Sequence, residues 1–60
     1  MKTYRAFVLT FGGQIIQSVD LVCATEENAR TLAERLAEDN PVELWDGARR
    51  IARFEPKKTD

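Results

Sequence analysis

Apolar and polar residues alternate from Thr3 to Phe11, and the run is rich in strand formers. Gly12-Gly13 follows as a turn that tolerates positive φ, and a second apolar run extends from about Ile15 to Ala24. The two runs predict a hairpin in which Thr10 faces Ile15, Val8 faces Gln17 and Ala6 faces Val19. That register sorts the side chains into two sets. Tyr4, Ala6, Val8, Ile15, Val19, Leu21 and Cys23 share one face, and Arg5, Phe7, Leu9, Phe11, Ile16, Ser18, Asp20 and Val22 share the other. The first set is the better floor for a helix, because Arg5, Ser18 and Asp20 would be costly beneath one.

The period changes at Thr25. Ala29, Leu32, Ala33, Leu36 and Ala37 recur at helical spacing, with Glu27, Arg30, Thr31, Glu34, Arg35 and Glu38 on the opposite side, so one helix is predicted over 25–39. Thr25 is a good N-cap, and Glu26 and Glu27 place negative charge at the free N–H groups. Asn40 and Pro41 mark the stop. Beyond it, Val42 to Trp45 reads as a third strand, Asp46-Gly47 as a hairpin turn and Arg49 to Phe54 as a fourth strand. Val42, Leu44 and Ile51 are expected to meet the helix with Arg49 and Arg53 at the edge, leaving Glu43, Trp45, Arg50, Ala52 and Phe54 on the open face. Residues 56–60 form a polar tail expected to be mobile.

The fold class is therefore α+β, ββαββ: one domain over residues 1–55, with a four-stranded, mainly antiparallel sheet and one helix packed on one face. Strand 1 is apolar on both faces and belongs in the centre, which leaves the spatial orders 2-1-3-4 and 2-1-4-3. The face away from the helix reads as too apolar for water. Phe7, Leu9, Ile16, Val22, Trp45 and Phe54 fall there, and a symmetric second copy using the same patch is the economical cover. A homodimer interface through these six residues is expected, on a small interaction module that associates with itself; the alternatives are an unknown protein partner, the C-terminal tail folded back over the face, or a one-residue parity shift in a hairpin.

Length sharpens that expectation. Sixty residues bury a modest core, and the usual reinforcements of small domains are missing from the sequence: Cys23 is the single cysteine and histidine is absent. No disulfide can close within the chain, no metal or cofactor is expected, and Cys23 reads as a small buried strand residue suited to a reducing compartment. The N-terminus shows no signal-peptide pattern and the chain no apolar run long enough for a membrane span, so a cytoplasmic location is expected.

Candidate chemistry is sparse. Without histidine, with Ser18 alone among serines, and with Glu26, Glu27, Glu34, Glu38 and Asp39 on a helix start or its wet side, no catalytic constellation forms and an enzyme is not expected. Gly12-Gly13 lacks the following Lys-Ser or Lys-Thr of a phosphate loop and leads into a strand. One group has a functional alternative: Trp45 with Arg49, Arg50 and Arg53 could stack bases and pair phosphates of single-stranded nucleic acid. The formal net charge of −1 gives no general attraction to nucleic acid. A solvated edge strand protected by arginine explains the same residues and is preferred.

Residues 41–56, Pro-Val-Glu-Leu-Trp-Asp-Gly-Ala-Arg-Arg-Ile-Ala-Arg-Phe-Glu-Pro, resemble the C-terminal segment of a group of very short alphaproteobacterial proteins. Tyr4-Arg5-Ala6-Phe7-Val8-Leu9 and Val19-Asp20-Leu21-Val22-Cys23-Ala24 extend the resemblance over nearly the whole chain. It implies no activity, ligand or catalytic residue. The turn Thr10-Phe11-Gly12-Gly13 departs from the Asp-rich turn common in that group.

Overall fold

The computed structural model describes residues 1–57. It contains β1 (Lys2–Leu9), β2 (Ile15–Cys23), α1 (Glu26–Leu36), β3 (Val42–Asp46) and β4 (Arg49–Phe54) in the expected ββαββ order. All three strand pairings are antiparallel, and the sheet order is β2-β1-β3-β4. The apolar β1 is central as expected, and of the two orders left open the protein adopts the one that puts arginine-rich β4 at an edge. β3 takes the inner position because Val42 and Leu44 are fully buried, whereas β4 carries Arg49, Arg50 and Arg53 and needs access to water.

The helix starts where its sequence says it should. Thr25 has extended backbone, and its hydroxyl accepts the Asn28 amide N–H at 3.1 Å. It ends three residues earlier than the spacing predicts, at Leu36. Ala37 leaves helical geometry at φ −86°, ψ 65°, and its N–H returns to the Glu34 carbonyl at 3.1 Å. This early exit lets Pro41 reach the interior, where its carbonyl accepts the Leu9 N–H at 2.8 Å. The Ala37 carbonyl in turn accepts the N–H of Lys57 at 3.1 Å, so the start of the expected tail is tied to the helix end; residues 58–60 of that tail lie outside the described residues.

The core is built from Tyr4, Ala6, Leu21, Cys23, Val42 and Leu44 of the sheet against Ala29, Ala33 and Ala37 of the helix side. Three alanines at successive turns bring the helix axis close to the strands, and all three are fully buried. Leu32 and Leu36, expected in the same stripe, lie beside it and remain 38% and 37% exposed.

Two irregularities change which residues share a face. In the first hairpin the register slips between Val8 and Leu9, so Ile15 pairs with Leu9 instead of Thr10 and Ile16 is the inserted residue. The Thr10 to Gln14 turn closes with Gly13 at φ 92° and with the Gln14 N–H donating to Thr10 Oγ1 at 3.0 Å. In the second hairpin the register slips between Leu44 and Trp45. Ala52 and Phe54 then pair with Leu44 and Val42, and Ile51 is the inserted residue. Phe54 accordingly packs on the helix-side core together with Ile51, a correction to its expected place on the open face.

Candidate interaction surface

The six residues expected to form an apolar interface are distributed by these irregularities. Phe7 and Trp45 do sit together on the open face, with ring centroids 6.3 Å apart and planes at 78°, an edge-to-face pair, each half-buried. Leu9 is only 4% exposed and has no surface left to offer. Phe54 belongs to the other side of the sheet. Ile16 and Val22 are 57% and 60% exposed, but both lie on the outer strand β2, where Ile15 at 60% joins them. Apolar exposure is thus concentrated at one edge of the sheet rather than spread over its open face.

The middle of the open face is polar, and one carboxylate organises it. Glu43 stands opposite Phe7 on β1 and Arg53 on β4. Its Oε1 accepts the Trp45 Nε1–H at 3.1 Å, and its Oε2 faces Arg50 Nη1 at 3.5 Å and Arg53 Nη1 at 3.4 Å. Glu55 completes the cluster by accepting Arg53 Nε–H at 2.8 Å, and that bond, with help from Glu43, holds the Arg53 guanidinium above its already high ordinary pKa. At the β2 side of the same face Arg5 donates to Asp20 at 3.0 Å.

The arginines proposed for nucleic acid are therefore not one cluster. Arg50 and Arg53 are on the open face with Trp45, whereas Arg49 pairs with Asp46 in the β3–β4 turn and reaches Glu26 of the helix at 3.3 Å. Arg49 belongs to a ladder of charges on the helix side. Lys2 binds Asp46 at 2.6 Å, Asp46 lies 3.6 Å from Arg49, and Glu26 also meets Arg30 at 3.4 Å. The hydrogen bond between Lys2 and Asp46 raises the ammonium pKa and is the chief cause lowering that of the carboxyl. Strand spacing placed Glu43 with Trp45 and Arg50 on the open face, as found, since residues two apart share a face. The ladder joins four elements, β1, β3, β4 and α1, and its links between Lys2 and Asp46 and between Arg49 and Glu26 had no local signal.

The two sheet edges differ. β4 carries three arginines, which discourage pairing with another strand, whereas the inserted residue is common to both edges, Ile51 in β4 and Ile16 near the start of β2. β2 is nine residues long, and its single charged residue, Asp20, is held by Arg5. From Gln17 to Cys23 its pairing with β1 is unbroken, and among the described residues no strand lies on its outer side. Beside this edge a groove of about 350 Å³ runs between the end of β2 and the helix, lined by Met1, Val22, Cys23, Ala24, Asn28, Thr31 and Leu32. A second depression of about 240 Å³ lies against Thr3, Tyr4, Arg5, Phe7 and Gly47. No group of three or more metal-ligating side chains converges among the described residues, and no helix is long and apolar enough to cross a membrane.

No family model, curated protein or solved structure matches the chain.

Proposed function

We propose that this chain is a small non-catalytic interaction module that associates with itself, using the surface where outer strand β2 meets the open sheet face. The observation that carries the reading is the exposure of Ile15, Ile16 and Val22 on a long outer strand, in a domain whose buried core includes three alanines. Each exposed aliphatic side chain that a partner covers is worth about 1.5–3 kcal/mol when fully buried, a large gain for a domain of this size. Phe7 and Trp45 extend the surface inward, and a buried lone thiol at Cys23 suits the reducing cytoplasm in which we place the module.

Light scattering across a dilution series tests the reading. A dimer at about 100 µM that dissociates on dilution, with an unfolding midpoint that rises with protein concentration, is the expected result. Val22→Lys is expected to leave a folded monomer, because the site is exposed, whereas Glu34→Lys on the wet side of the helix changes nothing. A folded monomer of the unaltered chain at every concentration overturns the proposal. The single-stranded nucleic-acid reading has less support, since Arg50 and Arg53 already face Glu43 and Arg49 lies on the other side. A salt-sensitive change in Trp45 fluorescence on adding oligonucleotide would favour it instead.

A further inference from the structure

Resting on the self-association just proposed, we infer its geometry: β2 pairs antiparallel with β2 of a second copy about a two-fold axis at Val19, joining the two sheets into one of eight strands. The sequence of β2 is self-complementary in that register. Ser18 stands against Asp20 of the partner copy, where a hydroxyl donates to a carboxylate, and the apolar ends Ile15-Ile16 and Val22-Cys23 come alongside one another. Val19 meets its own counterpart, and Gln17 lies opposite Leu21. The neighbouring registers are worse. An axis at Asp20 sets two carboxylates directly opposite, and an axis at Ser18 places Asp20 against Ile16 and Val22 against Gln14. From Gln17 to Leu21 the paired residues of the Val19 register share a face, as an antiparallel ladder requires, and the inserted Ile16 breaks the alternation beyond them.

The helix gives independent support. With Ala29, Ala33 and Ala37 against the sheet, the flank bearing Glu26 and Arg30 leans toward β4, where Glu26 meets Arg49 at 3.3 Å. Leu32 is on the opposite flank, lining the groove with Val22 and Cys23, and Leu36 follows it one turn later. The charged flank of the helix thus faces the arginine-protected edge, and the apolar flank faces the unprotected one. A two-fold axis through the β2 junction puts both helices on the same side of the joined sheet with their leucine flanks turned toward each other. Strand pairing and helix flank together form a continuous surface. A stable interface at the small end of the usual range takes roughly 600 Å² from each copy. One protomer exposes 4150 Å², so that is about one-seventh of its surface.

Hydrogen exchange of the unaltered chain, read by mass spectrometry at about 10 µM and about 1 mM, tests the geometry. Expected is protection of the peptide spanning β2 that grows about tenfold or more with concentration, while β4 is unaffected. In a second experiment, Val19→Cys in a Cys23→Ala background should form a disulfide-linked dimer under mild oxidation, because directly opposed strand residues bring their Cβ atoms to about 4.5–5.5 Å, from which a small shift of the two edge strands reaches the roughly 3.5–4.5 Å of a disulfide. A dimer by light scattering whose β2 exchange is independent of concentration, or whose Val19→Cys form does not cross-link, overturns this geometry and leaves the module self-associating by its open face. A monomer at both concentrations overturns both.

Discussion

The indole N–H of Trp45 is held by Glu43, two residues back on the same strand, at 3.1 Å, and the same carboxylate group faces two arginines of β4. One acidic side chain, 17% exposed, therefore sets both the orientation of the open-face aromatic and the neutralisation of the edge strand beside it. Glu43→Ala is expected to change the Trp45 emission maximum and to destabilise the domain by about 1 kcal/mol through the lost hydrogen bond. Glu43→Gln keeps an acceptor for the indole and should restore the spectrum but not the charge balance. Fluorescence-monitored urea unfolding of the two variants separates these effects.

A second prediction concerns pH. The Asp46 carboxyl is lowered by Lys2, so its contribution to stability is fully present above the ordinary carboxylate pKa of about 3.9 and is lost as pH falls through the lower folded value. The Lys2 ammonium is raised, so its contribution is present below about 10.4 and disappears as pH rises through the higher folded value. Unfolding midpoints of the unaltered chain and of Lys2→Met should differ most between these limits and converge at both extremes. A constant difference from acid to alkali would contradict the pairing.

The helix should respond differently to changes at Ala33 and Leu32. Ala33 is fully buried against the sheet, and Ala33→Leu is expected to cost about 1–3 kcal/mol by overpacking. Leu32→Ala, at a half-open site, should cost the isolated protomer less, yet weaken dimerisation if the helices meet there. Thermal unfolding at low and high protein concentration resolves the two contributions.

The helix cap offers a local test. Thr25→Ala removes the acceptor of the Asn28 N–H and should cost about 1 kcal/mol, whereas Thr25→Ser should be nearly neutral. Helix amide exchange near Asn28 would rise in the alanine variant alone.

Much of this architecture is local and could be read from the chain. Alternation gave the four strands, Gly13 and Gly47 take the positive φ their turns require, and the Thr25 cap fixes the helix start. Centrality of β1 followed from its two apolar faces. Glu43, Trp45 and Arg50 were placed on one face correctly, because residues two apart on a strand share a side and the turn sets the partner.

What the tertiary structure alone decided begins at the inserted residues. From the pair Asp46 and Arg49, unbroken alternation would direct Arg53 beneath the helix and Phe54 into water. Insertion of Ile51 reverses that, sending Phe54 to the core and Arg53 to Glu43, and the desolvation of a guanidinium against the burial of an aromatic ring is the physical reason. The slip at Leu9 likewise follows from a contact distant in sequence, its N–H satisfied by the Pro41 carbonyl. Strand order was settled by the same competition at larger scale: β3 has two side chains that need complete burial and β4 has three charges that need solvent, and only packing around the helix sets one need against the other.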